Sequence, residues 1–422
     1  MYALVDCNNF YVSCERIFNP QLNKQPIVVL SNNDGCVISR SEEAKKLNIP
    51  MGAAAYQYTS IFERYNVKVF SSNYRLYADM SERVMNILQE FTPDVEIYSI
   101  DESFLEFKGF EEFIEIKETA LQIQQRITKG LNIPICIGIA PTKALAKVAN
   151  RIAKKFPHLL NGIYIIDSEE KRLKALKWLQ IEDVWGIGRR ISTRLRELNI
   201  NTAYDFTQLS DQYIQKEFSI LELRLKKELL GKSVLKLEEI KNKKSIATTR
   251  SFKNDEADYE YIKERIITYT VNCAEKIRKQ KSTAKTIAVL LQTNPQKDVP
   301  QYRRTIVLQL PYATNSSLTL TQFAIDALEQ IFREGYKYKR TGVILSGLTK
   351  ETEKQLNLFC EEDTKHNQLM KAIDSLNKKI GEPKIKLGGQ DLKQTWKMKQ
   401  DHLSKHFTTN ITDIIEVNLN LA

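Results

Sequence analysis

Hydrophobic residues recur with two different periods along the first 166 residues of the chain. Apolar residues spaced three to four positions apart, which indicate amphipathic helices, occur at residues 74–91, 113–127 and 142–152. Short apolar runs typical of buried strands occur at residues 3–5, 27–30, 95–97, 104–107, 133–139 and 162–166. In one of these runs isoleucine fills every second position from Ile133 to Ile139, which predicts a strand with one buried face.

The order of these elements predicts a ferredoxin-like sheet. Apart from an insertion around residues 17–73, the order is strand, helix, strand, strand, helix, strand, with one further helix and strand behind it. In this topology the first and third strands are antiparallel neighbours at the centre of the sheet. The end of the first strand then faces the beginning of the third, so we expect Asp6 to lie beside Asp101 and Glu102.

The region after residue 166 has a different composition. Residues 171–230 are rich in Lys, Leu, Arg and Glu at helical spacing and contain the sequence VWGIG at residues 184–188. We interpret its last four residues as the hairpin of a helix-hairpin-helix, in which Gly186 and Gly188 allow backbone amides to approach a phosphate closely. The alternative is a connection between helices that simply ends in glycine.

A second α/β unit is predicted after the polar run at residues 241–244, which we interpret as a linker. The order strand, helix, strand, strand, helix, strand recurs at residues 245–252, 259–279, 285–292, 303–310, 320–334 and 340–348. No comparable sheet pattern occurs from Thr349 onward, so the last 74 residues are expected to form a tail with short elements.

Composition excludes several classes of protein. A chain of 422 residues, with 42% apolar and 27% charged residues, is expected to form two to four globular domains and not a disordered, fibrous or disulfide-stapled protein. No apolar run reaches the ~18–20 residues that span a bilayer, and the N-terminus lacks a basic region followed by an apolar one, so no membrane or secreted protein is expected. Six scattered cysteines without a CxxC pair fit reduced thiols in the cytoplasm.

The positive charge is concentrated in the second α/β unit. Residues 241–340 contain 19 Lys and Arg against 10 Asp and Glu, and so supply nine of the eleven excess positive charges. This distribution indicates a polyanionic partner that is gripped mainly by one domain, the alternative being a merely soluble basic surface. Thr248, Thr249 and Arg250 place hydroxyls and a cation on a strand suited to phosphate contacts.

The acidic residues at the two strand ends are candidates for catalysis. Three carboxylates that converge there would form a site for hard divalent cations such as Mg²⁺. Two such ions can activate a hydroxyl and stabilise the leaving oxygen in a phosphoryl displacement. The alternative is an ordinary pair of surface acids.

Two further groups of residues fit a nucleotide at such a metal site. A basic stripe follows one face of the helix after residue 142, where it could bind a triphosphate, and its alternative is a solvated helix face. Its members are Lys143, Lys147, Arg151 and Lys154. Phe10 and Tyr11 lie where a ring could pack against a sugar, the alternative being core packing.

These motifs together resemble a known family. The sequences DCNNFY at residues 6–11, YSIDE at 98–102, and APTK at 140–143 with the helix through Lys154 are similar to those of the Y-family translesion DNA polymerases. The sequences SNNDGCVI at residues 31–38 and FSSNY at 70–74 resemble the UmuC branch, which provides the catalytic subunit of bacterial DNA polymerase V. The resemblance extends over essentially the whole chain.

The resemblance implies an α+β multidomain right-hand polymerase. It implies a ferredoxin-like palm, small fingers, a helical thumb with the helix-hairpin-helix, an α/β little finger that grips DNA, and a C-terminal tail. In the same order these occupy residues 1–16 with 74–166, 17–73, 167–240, 241–348 and 349–422. The implied activity is template-directed, error-prone translesion synthesis in the bacterial SOS response to DNA damage.

The resemblance also assigns roles around the metals. Asp6, Asp101 and Glu102 would ligate two Mg²⁺ ions, with the main-chain carbonyl of Cys7 as a further ligand. The ions would align the primer 3′-hydroxyl with the α-phosphate of an incoming dNTP. Tyr11 occupies the steric-gate position, where its ring would meet a ribose 2′-hydroxyl and so select deoxynucleotides.

The triphosphate contacts include one departure from the family pattern. Ser39, Lys45 and Lys154 fall where family members contact the triphosphate. Many members have a tyrosine three positions before the fingers cation, whereas this chain has Glu42. An acid there would repel phosphate unless it points away.

The tail contains a sequence similar to the bacterial sliding-clamp-binding peptide, QLNLF at residues 355–359. Its pocket-filling residues would be Gln355, Leu356, Leu358 and Phe359. The resemblance further implies processed UmuD-type dimers and the RecA filament as partners, besides primer-template DNA and dNTP. The segment around residues 396–416 resembles the C-terminal region specific to the UmuC branch.

Two other functions use part of the same features. A palm-fold enzyme such as a nucleotidyl cyclase would use the carboxylates without DNA, but it leaves the hairpin motif and the basic second unit unexplained. A catalytically silent DNA-binding scaffold would not need the three carboxylates.

Overall fold

The computed structural model describes residues 1–109, 115–239, 241–353, 363, 365–380, 384–391 and 398–415. The chain forms two compact units, one of Met1–Glu239 with Gln400–Ala422 and the other of Ile240–Lys399. Among the described residues, no helix combines the length and the apolar character needed to cross a membrane. The cysteines in this part of the chain are free thiols.

The first unit contains two sheets and a helical region. Its strands are β1 (Tyr2–Cys7), β2 (Ile27–Leu30), β3 (Val37–Arg40), β4 (Lys68–Ser71), β5 (Val95–Ile97), β6 (Glu102–Glu106), β7 (Ile135–Ala140) and β8 (Ile163–Ile165). Its helices are α1 (Phe10–Phe18), α2 (Glu42–Lys46), α3 (Thr59–Arg64), α4 (Tyr74–Gln89), α5 (Ile116–Leu131), α6 (Lys143–Lys155), α7 (Pro157–Leu160), α8 (Glu169–Trp178), α9 (Arg189–Glu197), α10 (Ala203–Gln208), α11 (Asp211–Glu217) and α12 (Ile220–Leu229).

The larger sheet has the strand order β5-β6-β1-β7-β8. β1 lies in its centre and is antiparallel to both β6 and β7, which confirms the predicted pairing of the first and third strands. Side chains of β1 alternate between two cores. Ala3 and Val5 pack with α1, α4 and α5, whereas Leu4 packs with α6 and the helices that follow it.

The prediction of one buried face for the isoleucine-rich strand was wrong, because β7 is buried on both faces. Helix α6 covers its second face at very close range. A Cβ atom at Gly138 would lie 2.0 Å from the backbone nitrogen of Asn150 and 2.4 Å from the carbonyl oxygen of Ala146. The absence of a side chain at Gly138 therefore allows the main chain of α6 to lie on the sheet.

Helix α6 is also fixed by hydrogen bonds. The Thr142 hydroxyl caps its first turn by accepting from the backbone amide of Leu145. The Asn150 side-chain amide donates to the carbonyl oxygens of Leu4 and Cys136, at 3.3 and 2.8 Å, and so joins the helix to both β1 and β7. The basic side chains of α6 are thereby held beside the end of β1.

The smaller sheet has the order β3-β2-β4, with β2 antiparallel to β3 and parallel to β4. Its own apolar core includes Val28, Leu30, Val37 and Ile49. Residues 400–415 lie against this part of the first unit. The backbone of His402 forms two hydrogen bonds with Ser71, the last residue of β4.

The second unit consists of β9 (Ser245–Glu256), α13 (Tyr259–Lys279), β10 (Ser282–Thr293), β11 (Arg303–Thr314), α14 (Ser317–Ile331), β12 (Tyr338–Ser346), β13 (Thr349–Lys350) and α15 (Lys365–Ile380). Its antiparallel sheet has the order β11-β10-β12-β9. Helices α13 and α14 pack on one face of this sheet around a common core. The predicted order of strands and helices is confirmed.

The expectation of only short elements after Thr349 was wrong, because α15 spans 16 residues. Within the described part of this helix, Met370 is the one buried side chain. The sequence therefore shows little of the apolar periodicity that would predict the helix. The helix is held instead by an ion pair in which the guanidinium of Arg278 on α13 donates to both carboxylate oxygens of Asp374, at 2.7 and 2.8 Å.

Candidate active site

Three acidic residues come together where β1 ends and β6 begins. Asp6 pairs with Glu102 in the strand register, and the backbone amide of Cys7 donates to the carbonyl oxygen of Asp101 at 2.9 Å. The expected proximity of Asp6 to Asp101 and Glu102 is therefore confirmed. It follows from strand pairing alone, because antiparallel partners bring the end of one strand to the start of the next.

Asp6 is a buried carboxylate with a lysine partner. The residue is 5% exposed, and its Oδ2 atom lies 2.5 Å from the Nζ atom of Lys154. Burial raises the pKa of Asp6 to about 7, against the effect of the Lys154 ammonium, and the neighbouring Glu102 raises it further. Burial thus disfavours an ionised Asp6, and a divalent cation bound there would favour the ionised carboxylate.

Glu102 and Asp101 have different partners. The Lys147 ammonium lies 2.8 Å from both carboxylate oxygens of Glu102. Burial opposes ionisation of Glu102, but the hydrogen bond with Asp6 and the Lys147 ammonium outweigh it and lower the pKa of Glu102. Asp101 accepts a hydrogen bond of 2.6 Å from the Ser99 hydroxyl, which fixes the tight connection between β5 and β6.

The three carboxylates do not form a metal cage in this arrangement. Among the described residues, no three acidic, histidine or cysteine side chains are placed together as ligands for a metal ion. Instead, the Lys154 ammonium pairs with Asp6 and the Lys147 ammonium pairs with Glu102. The donor set itself fits a hard divalent cation, since it consists of carboxylate oxygens held on rigid strand ends.

The basic stripe of α6 is more deeply engaged than the sequence predicted. Lys143 is 3% exposed, and its ammonium lies 2.9 and 2.7 Å from the two carboxylate oxygens of Glu96. The prediction that Lys143 lies on a helix face open to a ligand was wrong, because the segment that follows α12 covers the first turn of α6. Arg151 pairs with Asp183 at 2.5 Å. Every cation of the stripe therefore has a carboxylate partner.

Phe10 and Tyr11 have separate environments. Phe10 is 3% exposed and belongs to the core beneath the sheet. For Phe10 the alternative of core packing is therefore the correct one. Tyr11 is partly buried, with its ring stacked on Tyr77 at 4.5 Å between centroids and 14° between planes. The edge of Tyr74 meets the same ring, at 6.0 Å and 89°. Burial raises the pKa of Tyr11 to about 12, so its hydroxyl stays neutral.

The two residues predicted to contact a triphosphate near the smaller sheet have different environments. Ser39 is 6% exposed on β3. The Lys45 ammonium pairs with Glu42 at 2.6 Å, and the Asn9 side chain donates to the same carboxylate oxygen at 3.1 Å. Glu42, the residue that departs from the family pattern, therefore connects α2 to the turn before α1.

The glycines of the predicted hairpin lie at the start of α9. Gly186 has a φ of +91°, a conformation that side chains other than glycine rarely adopt, and Gly188 is the N-cap of α9. Trp185, in the same turn, packs near Phe104 of β6 and donates its indole N–H to the Tyr98 hydroxyl at 3.0 Å. The positive φ of Gly186 and the N-cap position of Gly188 fit a tight turn that leads into α9.

The three consecutive candidates on β9 do not share one face of the sheet. Thr248 is buried among the helices and accepts a hydrogen bond from the Cys273 thiol, so its prediction as a DNA contact was wrong. Arg250 lies on the same face and lines a cavity with residues of α13 and α15. Thr249 lies on the opposite face, where Arg340 donates to its hydroxyl at 3.0 Å. Strand alternation separates them.

A buried polar cluster beside Tyr11 was missed by the sequence analysis. The carboxylate of Glu15 on α1 is 2% exposed and accepts hydrogen bonds from Tyr77 and from Ser404. Residues 10–18 were not predicted as a helix. An acidic residue among apolar ones at helical spacing is the signal that could have identified the cluster. The clamp-like peptide, Gln355 to Phe359, lies outside the described residues.

Comparison with protein families gives three matches. The impB/mucB/samB family matches residues 5–151, and the C-terminal domain of that family matches residues 243–358. A domain of unknown function, DUF4113, matches residues 367–417.

Curated proteins similar to the chain include two from Salmonella typhimurium. Protein UmuC is 38% identical over 99% of this chain and 100% of its own length. Protein ImpB is 37% identical over 98% of this chain and 99% of its own length. DNA polymerase IV of Pelotomaculum thermopropionicum is 27% identical over 90% of this chain and 93% of its own length.

Solved structures with a similar fold are DNA polymerases. A Y-family chimera of Dbh and Dpo4 aligns with a TM-score of 0.66 at 22% identity, over 83% of this chain and 99% of its own. The insertion ternary complex of Dbh DNA polymerase aligns with a TM-score of 0.55 at 23% identity, over the same shares. At these identities the similarity shows the fold.

Proposed function

Since the chain belongs to the impB/mucB/samB family of UmuC-like Y-family DNA polymerases, we propose that it performs error-prone translesion synthesis in the bacterial SOS response. In this proposal it is a DNA-directed DNA polymerase that extends a primer across damaged template bases. The observation that carries the proposal is the strand register that sets Asp6 opposite Glu102 and beside Asp101.

The proposed metal ligands are Asp6, Asp101 and Glu102, with the carbonyl oxygen of Cys7. Divalent metal ions, which we propose to be two Mg²⁺, would supply activation of the primer 3′-hydroxyl and stabilisation of charge on the leaving oxygen. The residues of the chain prepare this site by holding buried carboxylates on two paired strands, where little rearrangement of the backbone is needed.

Lys154 and Lys147 exchange partners in this proposal. In the present arrangement their ammonium groups neutralise Asp6 and Glu102. With divalent cations on the carboxylates, the ammonium groups of Lys154 and Lys147 would be free to bind a triphosphate. Lys154 would bind phosphate oxygens together with Ser39 and Lys45, which would have to leave Glu42. Electrostatic stabilisation of this kind is often the largest single contribution to catalysis.

Tyr11 is the proposed sugar-selecting residue. Its ring is fixed against Tyr77 and Tyr74 and belongs to the helix that begins four residues after Asp6. A 2′-hydroxyl on an incoming nucleotide would collide with this ring, whereas a deoxyribose would not. Phe10 stays in the core and supports the helix.

The domain roles follow the family plan. Residues 1–16 and 74–166 are the proposed palm, residues 17–73 the fingers, residues 167–240 the thumb, residues 241–348 the little finger, and residues 349–422 the tail. Contacts with the DNA backbone are proposed for the amides near Gly186 and Gly188 and for the sheet face of Thr249.

The proposed partners beyond DNA and dNTP follow the UmuC resemblance. They are the sliding clamp, bound by Gln355, Leu356, Leu358 and Phe359, a processed UmuD-type dimer, and the RecA filament. The proposed location is the cytoplasm.

Primer extension tests this function. Purified protein, with and without the proposed partners, is given dNTPs and Mg²⁺ on an undamaged template and on one with an abasic site. We expect extension on both templates, and Asp101→Asn should reduce it more than about 100-fold, since even the partners of metal ligands cost 10–100-fold when removed. Asp94→Asn changes an exposed acid five residues after the end of α4, serves as the control and should retain activity.

Two outcomes would reject the proposal. Equal extension by wild-type protein and Asp101→Asn would remove the carboxylate site. Release of pyrophosphate from nucleotides without any primer-template would favour the nucleotidyl cyclase alternative.

A further inference from the structure

The segment of residues 400–415 returns to the first unit and packs beside the proposed nucleotide site. Besides its backbone pairing with Ser71, it donates from the Gln400 side chain to the carbonyl oxygen of Ser72 at 2.9 Å. Its Asp401 amide donates to the Asp34 carboxylate at 2.9 Å. These contacts fix the segment along the end of β4, just before α4 begins.

The segment also fixes the start of α4. Asn73 is the N-cap of this helix and accepts a hydrogen bond from the Leu76 amide. The Asn73 side-chain amide donates to the Ser404 hydroxyl at 3.0 Å, and its carbonyl oxygen lies 2.9 Å from Nδ1 of His406. Asn73 is 1% exposed, so these contacts with the segment satisfy a buried amide. Helix α4 contains Tyr74 and Tyr77, the two rings that contact Tyr11.

A second set of contacts reaches α1, the helix of Tyr11. Tyr11, Glu15 and Phe18 lie at positions i, i+4 and i+7 of α1 and so share one face of that helix. Phe407 stacks on Phe18 at 4.7 Å between centroids, with 9° between the planes. The Ser404 hydroxyl donates to Oε1 of Glu15 at 3.0 Å. The segment therefore covers the two turns that follow Tyr11.

Glu15 connects the segment to the aromatic rings. Its Oε1 atom accepts hydrogen bonds from the Ser404 hydroxyl and from the Tyr77 hydroxyl, the latter at 2.7 Å. Tyr77 is fully buried and stacks on Tyr11. Two hydroxyls thus converge on one buried carboxylate oxygen, and loss of either changes how the other is held.

We propose that residues 400–415 form a positioning element for the sugar-selecting tyrosine, with Ser404 as the residue that acts through Glu15 and Tyr77 on Tyr11. This inference rests on the proposed function, because it assumes that Tyr11 selects the sugar. It gives the C-terminal region a role in substrate choice: without its contacts, the Tyr77 ring shifts and the Tyr11 ring no longer occupies the space of a 2′-hydroxyl.

The test compares dATP with ATP opposite a template thymine. The full chain is used with primer-template and Mg²⁺, and the ratio of kcat/KM for dATP to that for ATP is measured for each variant. Ser404→Ala should lower this ratio about tenfold, the effect of roughly 1.4 kcal/mol on the discrimination. Ser404→Thr keeps the hydroxyl and should retain the wild-type ratio. Thr409→Ala removes a hydroxyl from an exposed position of the same segment and should also leave it unchanged.

A double-mutant cycle tests the route through Glu15. Tyr77→Phe removes the second hydroxyl but keeps the ring, and it should lower the ratio to a similar extent. The double variant Ser404→Ala with Tyr77→Phe should be no worse than either single variant, because both act on the same carboxylate. Additive losses would overturn the route. Phe407→Leu weakens the contact with Phe18 and provides a second variant if Ser404→Ala does not fold.

The outcomes distinguish a failure of this inference from a failure of the proposed sugar-selecting role of Tyr11. Tyr11→Ala should lower the ratio strongly, and an unchanged ratio in that variant would overturn both the sugar-selecting role and the inference. A lowered ratio in Tyr11→Ala together with an unchanged ratio in Ser404→Ala and Phe407→Leu would overturn the inference alone. A merely structural role of the segment would lower activity with dATP and ATP equally and leave the ratio unchanged.

Discussion

At the scale of single residues, two lysines compensate the negative charge of the proposed metal-binding carboxylates. Lys154 and Lys147 bind the carboxylates of Asp6, which is buried, and Glu102, which is partly buried, and keep both acids compatible with the fold. Removal of one partner from a partly buried pair leaves a charge without compensation, which is costly. The same lysines compete with any divalent cation that binds there.

This competition predicts that Lys147→Met increases metal affinity in the absence of DNA. Without the ammonium on Glu102, Mn²⁺ meets one competitor fewer and should bind about tenfold more tightly, a change of roughly 1.4 kcal/mol. Electron paramagnetic resonance of free Mn²⁺ measures the affinity. Lys155→Met, at the exposed end of α6, is the control and should not change it. Weaker Mn²⁺ binding by Lys147→Met would mean that the lysine supports the site instead of competing.

The buried Glu15 predicts a pH-dependent stability. Burial raises its pKa to about 7 from an ordinary value of 4.5, against the hydrogen bonds of Tyr77 and Ser404. The folded state then binds more protons than the unfolded state between these values, so the stabilising contribution is complete below about pH 4.5 and is lost as the pH rises through 7. Over this interval wild-type protein should lose about 3 kcal/mol relative to Glu15→Gln. Urea unfolding of both proteins from pH 4.5 to 8 measures this; parallel curves would contradict it.

Residue types and their spacing predicted which carboxylates meet but not what their side chains contact. Strand order sets Asp6 beside Glu102, and this is a property of the backbone that alternating hydrophobicity reveals. The partner of Lys143 depends instead on how separate elements pack, which a helical spacing does not contain. Lys45, by contrast, pairs with Glu42, three residues before it on the same helix. Glu96, the partner of Lys143, belongs to an edge strand 47 residues away.

At the scale of elements, the contact between α6 and β7 determines the site. The helix carries Lys147 and Lys154, and its distance from the sheet is set by Gly138. The sequence predicted both elements from their periods, but the strand was expected to have one buried face because only its isoleucines were counted. Cys136, Gly138 and Ala140 are small, and small residues on a strand also permit close packing of a helix.

Gly138→Ala should therefore disturb both stability and the site. The new methyl would lie 2.0 Å from a backbone nitrogen of α6, so the helix has to move away from the sheet. We expect a loss of about 3 kcal/mol in the free energy of unfolding, at the upper end for overpacking. In urea unfolding, Gly130→Ala is the matched control: no atom would contact its methyl, and it should stabilise α5 by up to ~1 kcal/mol. Equal stability of the two variants would contradict the close contact.

At the scale of the whole molecule, the excess positive charge belongs to the second unit, whereas residues 400–415 of the tail belong to the first. The second unit presents one sheet face that α13 and α14 do not cover, and Arg303, Arg340 and Thr249 lie on it. Charge counting predicted that this unit is basic. The return of residues 400–415 to the first unit could not be predicted. Apart from the stacking of Phe407 on Phe18, its contacts are made by polar side chains and backbone groups without a repeating hydrophobic pattern.

The uncovered face predicts a specific change in the salt dependence of DNA binding. Each lysine or arginine that neutralises a phosphate contributes about −0.9 to the slope of log K against log salt concentration. Arg303→Ala should therefore make the slope shallower by about one. Lys263→Ala removes one charge from α13, on the covered side, and should leave the slope unchanged. Equal slopes for the two variants, measured by fluorescence anisotropy with duplex DNA, would place the DNA elsewhere.

The location of Mn²⁺ in crystals of the protein with primer-template and an unreactive dNTP analogue tests the central claim most directly. Anomalous diffraction at the manganese edge identifies the metal without any assumption about activity. We predict peaks between Asp6, Asp101 and Glu102, with the ammonium groups of Lys147 and Lys154 moved away from the carboxylates. Peaks at another site, or lysines still paired with Asp6 and Glu102 while the analogue is bound, would contradict the account.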